Sequence, residues 1–262
     1  MNSQGYLKRP VVAVLVTLPL TVPVLYALYV NTWISSYTTS TTGRRDKHRA
    51  VQKSDAASGP RDPTSLPGDV KSDDGSKWAI FYERVVSKPM PKSSLNQAFE
   101  PGYTLQTTPL LRDYLRATHG AFSWTPQAIL IRAMIKEPEL KRTFDSDWIY
   151  SLKFALGDYV NGIYRVCHHE KDPSSERLEL MFEVPASYKG PAARGLLVAA
   201  MEPTGKHADG ESDNVVLVNE TWMWRRVDEP HTLLETPFGK WFHGKLAGWL
   251  IMKGYNHIVQ TK

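Results

Sequence analysis

The stretch VVLVNETWMWRRV, Val215 to Val227, is dense in β-branched and aromatic residues, a composition typical of a β-strand. Side chains along a strand alternate between the two faces of its sheet. Both sets of alternate positions in this stretch carry large apolar groups, so we expect both faces to be covered. One face would pack on helices of the core, and the other on the C-terminal helix or on a partner.

Four further stretches have the same strand-like composition. They are separated by helical patterns or by short segments that contain Pro and Gly, which are typical of turns. Strands joined by such short segments pair in an antiparallel arrangement. Besides Val215 to Val227, the predicted strands are Trp78 to Val86, Gly162 to His169, Arg177 to Val184 and Gly195 to Glu202.

Helices are predicted between the first strand and the others, and again at the C-terminus. Thr108, Thr125 and Thr236 each precede a proline, which gives an N-cap followed by a favourable first helical residue. We expect the helix after Thr125 to be buried on most sides, because Arg132 is its one strongly charged interior residue. The predicted helices are Pro109 to Gly120, Gln127 to Lys136, a third from Asp145 or Ser146 to Leu156, and Phe238 to Lys253.

The order of strand, helices, antiparallel strands and closing helix predicts an α+β fold. We expect a curved antiparallel sheet with helices on one face and a long C-terminal helix, preceded by one N-terminal transmembrane helix. From Lys77 to Val259 this order, with the ending LETPFGKW from Leu234 to Trp241, resembles the helix-grip domains of START-like and polyketide-cyclase-like proteins. The resemblance implies a ligand cavity between the sheet and the C-terminal helix.

The number of predicted strands is smaller than is usual in helix-grip domains. Short strands around Leu105 or in the Asp158 region would make up the difference. A cystatin-like cone and a hot-dog sheet use similar elements in other orders, and both stay open as alternatives.

The segment Pro10 to Val30 (PVVAVLVTLPLTVPVLYALYV) carries no charged residue. As a helix it is long enough to cross a hydrocarbon core of roughly 30 Å. It is longer than the apolar region of a cleaved signal peptide and lacks an A-x-A cleavage site, which favours a retained anchor. We predict a single-pass membrane protein. The endoplasmic reticulum is the favoured location and the mitochondrial inner membrane is the alternative, while the orientation stays open.

Composition divides the chain into three regions. Residues 1–34 are the predicted membrane anchor, residues 35–76 a polar and basic linker, and residues 77–262 one α+β globular domain. The linker is predicted to be disordered because it has few large apolar side chains to bury. The single cysteine excludes an internal disulfide, so the domain must be stabilised by its core.

Several function classes are disfavoured by what the sequence lacks. The net charge is +5, but no stripe of Lys and Arg with interleaved aromatics is present, so nucleic acid is not expected as a partner. There is no Gly-rich phosphate loop after a strand, no G-x-S-x-G elbow and no H-E-x-x-H helix. We therefore predict no cofactor, and chemistry that needs only an apolar pocket with one or two polar groups stays open.

The stretch CHHE, Cys167 to Glu170, combines a thiol, two imidazoles and a carboxylate. On a regular strand Cys167 and His169 share one face, and His168 and Glu170 share the other. Four ligands then cannot meet at one metal, so we predict no metal site and interpret the stretch as the end of a strand. Cys167 with His169, as a ligand pair or as a nucleophilic pair, is the alternative.

Two residues are candidates for catalytic proton transfer. Glu220 lies among aromatic residues, where an unpaired buried carboxylate is costly and becomes a candidate acid or base. The alternative is that Glu220 pairs with Arg165, Arg194 or another cation across the sheet. His243, on the C-terminal helix, would point toward the mouth of the cavity, and its alternative is a structural histidine.

The C-terminal helix contains Gly244 and Gly248 in its interior, where each glycine costs about 1 kcal/mol relative to alanine. Their four-residue spacing puts them on one face of the helix. We favour a close approach of that face to the sheet, with space for a ligand as the alternative. The candidate ligand-binding residues are Trp222, Trp224, Trp241, Gly244, Gly248 and Met252.

The expected function is binding or processing of an apolar small molecule, such as a lipid, an isoprenoid or a polyketide-like metabolite, within a biosynthetic pathway. A cavity lined by apolar and aromatic side chains suits such ligands. One alternative is a cofactor-independent cyclase or isomerase that transfers protons through Glu220 and His243. The other is a membrane-tethered assembly or scaffold protein whose Trp-rich surface binds a protein partner.

Overall fold

The computed structural model describes residues 28–45, 60–99, 106–187, 193–204 and 213–260. Within these ranges the chain is a mixed α+β protein built on one antiparallel sheet, with a long helix near the C-terminus. The predicted fold class is confirmed at this level.

The described strands are β1 (Thr38–Arg44), β2 (Trp78–Ser87), β3 (Met90–Pro91), β4 (Tyr159–Val160), β5 (Tyr164–Asp172), β6 (Ser175–Phe182), β7 (Gly195–Thr204) and β8 (Asn214–Arg226). Their spatial order is β1-β2-β8-β7-β6-β5-β4, and β3 pairs with β8. All five predicted strands are present. The short strand β4 lies in the Asp158 region, where the sequence left room for one, whereas β1 and β3 were not predicted.

The described α-helices are α1 (28–37), α2 (Gly68–Lys71), α3 (Pro109–Phe122), α4 (Pro126–Met134), α5 (Pro138–Arg142), α6 (Ser146–Ser151) and α7 (Pro237–Ile258). Short 3-10 turns occupy Lys92–Ser94 and Leu233–Glu235. The third predicted helix is shorter than expected, since α6 ends at Ser151 rather than at Leu156.

The three predicted N-caps are confirmed. The hydroxyls of Thr108, Thr125 and Thr236 accept hydrogen bonds from the backbone N–H groups three residues further on, at distances of 3.2, 3.2 and 3.0 Å. In each helix the next residue is a proline, which has no N–H to satisfy. These local signals fix where α3, α4 and α7 begin.

One face of the sheet, called here the helix side, packs on α3 and α7. Its strands contribute Val85, Leu178 and Leu217 to the main core, where they meet Leu111 of α3 and Ile251 of α7. The helix side therefore holds the larger of the two hydrophobic clusters that matter for the site.

The other face of the sheet, called here the opposite face, is covered by residues 60–71. Leu66 and Val70 of this segment pack with Ile80, Trp222 and Trp224 of the strands. The prediction that residues 35–76 form a disordered linker is wrong for this segment. Its few apolar residues are buried because they pack on the apolar and aromatic side chains of strands β2 and β8.

Residues 28–45 also depart from the predicted linker and anchor boundaries. Strand β1 pairs along its whole length with β2, and Ile34 is buried against Gly248 of α7. The side chain of Ser35 accepts a hydrogen bond from Lys245. The folded unit therefore begins well before residue 77, although residues 46–59 lie outside the described ranges.

The predicted transmembrane segment lies mostly outside the described residues, since only its last three positions, 28–30, are included. Among the helices of the described ranges, none combines the length and the apolar character needed to cross a bilayer.

Helix α4 differs from the prediction of burial on most sides. Ala128 is its one buried residue, whereas Ile129 and Leu130 are 59% and 60% exposed. Its sequence is apolar all round, but α4 lies at the end of the sheet, so only one narrow face meets the core. The exposed apolar surface adjoins the site described next.

Candidate functional site

A small cavity of about 70 Å³ lies between the helix side of the sheet and helices α3 and α7. Leu115 and Phe122 of α3 form one wall, and Leu246 and Leu250 of α7 form another. Strand residues close the cavity from below. Most of its lining is apolar, as the core position of these helices requires.

A larger cavity of about 470 Å³ lies at the end of the sheet, between α4, the first turns of α7 and strands β5 to β8. Its lining is again mostly apolar: Leu130, Ile131, Met134, Ile135, Ile163, Phe182, Val184, Met223 and Phe242 are among its residues. Leu130, Met134 and Phe242 are also exposed to solvent, at 60%, 39% and 41%. They mark the mouth of this cavity.

The two cavities share five lining residues, and this shared wall is called here the junction. The junction consists of Gln127, Tyr164, Leu197, Thr221 and His243. Four of these five side chains carry a polar group, although both cavities are otherwise mainly apolar. All the polar side chains that line the larger cavity thus lie at the junction, whereas the small cavity also has Thr118, His119, Asn219 and Glu220 in its lining.

His243 is held at the junction by a buried carboxylate. Its Nδ1 is hydrogen-bonded to Glu83 of β2, which is 4% exposed and lies opposite Thr221 in the sheet. Gly244 makes room for this pair, because a Cβ there would lie 2.9 Å from Glu83 Oε1. That oxygen has no hydrogen-bond partner among the described residues. The sequence predicted that His243 would point toward the mouth of a cavity; the structure places it in the wall that the two cavities share, with Glu83 as its partner.

Tyr164 contributes a buried hydroxyl to the junction. The residue is 4% exposed, and its ring contacts Phe122 and Phe182 edge-on. Burial raises the pKa of the Tyr164 hydroxyl, so it stays protonated at neutral pH. No hydrogen bond to this hydroxyl is present within the described part of the chain.

His119 of α3 lines the small cavity as a neutral imidazole. Burial lowers its pKa to about 4, although its hydrogen bond with Asn161 works in the other direction. Nδ1 lies 2.7 Å from Asn161 Oδ1, which can only accept, so Nδ1 carries the proton. This histidine is a fixed polar group of the core rather than a charged one.

Glu220 is among the residues that line the small cavity, but its carboxylate is bonded to partners on the opposite face of the sheet. It is hydrogen-bonded to Arg84, and it accepts from Arg177 Nη2 at 3.1 Å and from Trp222 Nε1 at 3.0 Å. Arg84 is its direct neighbour across the strands. The ion-pair alternative therefore matches the structure, with Arg84 and Arg177 in place of Arg165 or Arg194.

The predicted ligand-binding residues are not brought together. Trp222 and Trp224 pack on the opposite face, whereas Trp241 is about half exposed on α7. Gly248 packs against Ile34 and Thr38, at distances from an added Cβ of 2.6 and 2.8 Å. Gly244 and Gly248 thus allow close packing of α7, which was the favoured interpretation. The residues packed against them are in the range 34–40, together with Glu83. Met252 is buried on the same helix.

CHHE lies inside β5 rather than at its end, and a β-bulge interrupts the pairing between Val166 and His168. The thiol of Cys167 donates to the Glu179 carbonyl at 3.3 Å, whereas His169 Nε2 lies 2.8 Å from Glu176 Oε1. Burial raises the pKa of the Cys167 thiol. Cys167 and His169 therefore have separate partners, and the strict alternation assumed from the sequence fails at the bulge.

Metal binding has no preformed site in the ranges that the structure describes. No group of three or more His, Cys, Asp or Glu side chains lies close enough there to hold an ion.

Three polar residues of the site were missed by sequence reasoning. Glu83 lies in a strand whose side chains alternate between the two faces of the sheet, where a charged residue is normally predicted to face solvent. It is buried because α7 packs on this face of the strand. Tyr164 and His119 look like ordinary core aromatics in the sequence. A charged residue at a position in phase with Phe81 and Val85 was the available signal for Glu83.

Comparison of the chain with protein-family models, with curated proteins and with solved structures finds no match.

Proposed function

We propose that the protein binds an apolar small molecule, such as a lipid, an isoprenoid or a polyketide-like metabolite, in the cavities between its sheet and α7. The observation that carries this proposal is the cavity of about 470 Å³. Its size falls in the range of small-molecule sites, and its lining is mainly apolar with a few polar groups.

The exposed residues at the mouth support the same proposal. Exposed apolar side chains next to a cavity commonly mark a ligand entrance or an interaction surface. On α4 and the start of α7 the exposed large apolar residues include Ile129, Leu130, Phe238, Trp241 and Phe242. An apolar ligand would pass over this surface on its way in.

The order of elements supports a helix-grip domain as the scaffold. The first strand of the predicted domain, β2, pairs with the last strand, β8, and α7 packs on the same sheet. A cavity between sheet and closing helix is what the resemblance implies. We propose this family relationship, including a curved sheet, as the framework for ligand binding.

Membrane attachment remains part of the proposal. The uncharged stretch from Pro10 to Val30 would anchor the chain, in the endoplasmic reticulum before the mitochondrial inner membrane. Carbonate extraction should leave the full chain in the membrane fraction and release a variant that lacks residues 1–27. Removal up to residue 34 is a poor test, because Ile34 packs on α7.

A cyclase or isomerase acting by proton transfer is the second candidate. The pair of His243 and Glu83 at the junction favours it, since a carboxylate that orients an imidazole is a common arrangement of a general base. Glu220 takes no part in this version. An assembly protein is the third candidate, supported by the exposed aromatic residues of α7 alone.

Binding of the neutral fluorophore N-phenyl-1-naphthylamine to the purified chain tests the proposal. We expect saturable binding that Leu197→Trp weakens by at least about tenfold, because the added ring fills the junction. Ala193→Trp, in the wall of the larger cavity, is a second variant of the same kind. Both variants are checked for unchanged circular dichroism.

Leu156→Trp is the matched control, because Leu156 is 69% exposed and lines neither cavity. Its affinity for the fluorophore should equal that of the wild type. Loss of binding in this control, or full binding in both cavity-filling variants, would point to adsorption on the outer apolar surface and support the assembly role instead.

A further inference from the structure

We propose that the junction is a polar subsite that takes the hydroxyl group of an apolar alcohol. The inference rests on the proposed function and names the chemical class of its ligand. It is carried by the grouping of polar side chains at the one wall that the two apolar cavities share.

Polar groups elsewhere in the cavity lining already have partners in the protein. The Asn219 side chain accepts from Tyr114 at 2.8 Å, the Thr118 hydroxyl donates to the Tyr114 carbonyl at 2.8 Å, and His119 is bonded to Asn161. Buried polar groups in native proteins are normally satisfied in this way. Each of these three side chains therefore has at least one partner, although His119 Nε2 and Asn219 Nδ2 make no hydrogen bond within the described residues.

The junction residues differ in this respect. Within the described residues, the side chains of Tyr164, Thr221 and Gln127 make no hydrogen bond to the protein. His243 uses Nδ1 for Glu83, and its Nε2 has no protein partner there. The Tyr164 hydroxyl and His243 Nε2 are not among the fully enclosed unpaired atoms of the described residues, so they face open space in the cavities, and a ligand that supplies a partner there gains affinity.

The chemistry of Tyr164 and His243 selects a hydroxyl. Nδ1 of His243 is hydrogen-bonded to Glu83, so Nε2 is the ring nitrogen left for a ligand, and an imidazole nitrogen can accept or donate a hydrogen bond. A ligand hydroxyl can donate and accept, so it matches Nε2 in either state and also pairs with the Tyr164 hydroxyl. An ether or an alkene offers no donor to a neutral Nε2.

Displacement of bound N-phenyl-1-naphthylamine by two probes tests the subsite. Farnesol carries the hydroxyl, and farnesyl methyl ether keeps the chain but removes the donor. We expect wild-type protein to bind farnesol about tenfold more tightly than the ether, as one or two buried hydrogen bonds predict.

Two variants remove the subsite while keeping its shape. Tyr164→Phe deletes the hydroxyl, and His243→Asn keeps a donor near the position of Nδ1 while it deletes Nε2. In His243→Asn the preference for farnesol should fall to about twofold, because the acceptor of the ligand's hydroxyl proton is gone. Tyr164→Phe should weaken both probes alike, because the ether oxygen also accepts a hydrogen bond from the Tyr164 hydroxyl. Comparing the ratio of the two probes between proteins cancels the steric effect of the extra methyl group.

Tyr114→Phe is the matched control, since its hydroxyl is satisfied by Asn219. It should be less stable than Tyr164→Phe and should keep the full preference for farnesol. Tyr164→Phe should itself be at least as stable as the wild type, because the hydroxyl it loses has no partner.

Several outcomes overturn the proposal. Equal displacement of the fluorophore by alcohol and ether, displacement by neither, a preference that survives His243→Asn, or a Tyr164→Phe protein that binds both probes as tightly as the wild type would each do so. Wild-type protein that binds the fluorophore but lacks the preference contradicts the subsite alone. Wild-type protein that binds neither fluorophore nor farnesol contradicts the binding function as well.

Discussion

The two faces of one sheet are built on different principles. On the helix side, α3 and α7 leave cavities, and three of the four polar side chains at their junction make no hydrogen bond within the described residues. On the opposite face, Glu220, Arg84 and Arg177 satisfy one another beneath a cover of residues 60–71. Alternation along β8 puts Glu220 and Thr221 on different faces, so adjacent residues belong to different environments.

A buried carboxylate is therefore a poor guide to function by itself. Glu220 is more completely paired than Glu83, although both are buried. The two carboxylates differ in the element packed on them. Glu220 is covered by the segment of residues 60–71, which Glu179 holds in place, whereas Glu83 is covered by α7, which contributes His243.

Among the substitutions that distinguish the two faces, Glu220→Gln is expected to cause the largest loss in free energy of unfolding. It removes the charge that faces Arg84 and Arg177, and breaking a buried ion pair typically costs about 3 to 5 kcal/mol in free energy of unfolding. Fluorophore binding by the folded fraction should be unchanged, because the carboxylate lies on the opposite face. Urea denaturation and fluorophore titration measure the two quantities.

The matched control is Glu202→Gln, which removes a partner of the same Arg84 at a more exposed position. It should cost no more than about 1 kcal/mol. A Glu220→Gln protein that keeps its stability but loses affinity would reverse our assignment of the two faces.

Acid should destabilise the helix side through His119. Its pKa is about 4 in the folded protein and 6.5 ordinarily, so below about pH 6.5 the unfolded chain binds a proton that the folded chain does not. Stability is therefore lost as the pH falls from 6.5 to 4, by up to about 3 kcal/mol.

Other groups also titrate in this range, so the measurement is the difference between wild type and His119→Asn. Asparagine keeps a donor near Nδ1 but takes no proton. The variant loses stability at pH 7 through lost packing, and this deficit should shrink by roughly 2 to 3 kcal/mol at pH 4.5. A deficit that is the same at both pH values would mean that His119 is not titrating as described.

Gly248→Ala tests whether residues 28–45 hold α7 against the sheet. The new methyl group would lie 2.6 Å from Ile34 and 2.8 Å from Thr38, so we expect a loss of about 1 to 3 kcal/mol despite the better helix propensity of alanine. Gly68→Ala, with no atom within 4 Å, should change stability by less than about 0.5 kcal/mol. Equal thermal shifts in the two variants would contradict the packing.

Cys167→Ala should have the smallest effect. The residue sits in a bulge, makes one weak hydrogen bond and is only partly buried, so the expected loss is within about 1 kcal/mol. Elemental analysis should find the same metal content before and after the change. Stoichiometric zinc that disappears in the variant would overturn our reading of CHHE.

Local features of the chain were readable from its sequence. The five main strands, the Thr-Pro starts of α3, α4 and α7, and the antiparallel α+β class depend on periodicity and on capping, which act over a few residues. The close packing of Gly244 and Gly248 was also foreseen, because a glycine inside a helix has a cost that needs a reason. His243 was named as a candidate at a cavity mouth because it lies one position from the face of α7 that carries these two glycines.

Tertiary structure decided which residues meet. Strand β1 and the cover formed by residues 60–71 escaped prediction because their sequences are polar, and only pairing with β2 or contact with Trp222 and Trp224 orders them. Because of the bulge at Cys167, its side chain does not share a face with His169, although the regular alternation of a strand had predicted that it would. Glu83 in β2 and His243 in α7 are far apart in the chain, and Tyr164, which also lines the junction, comes from a third element, β5. Such a site depends on long-range packing, which no local pattern encodes.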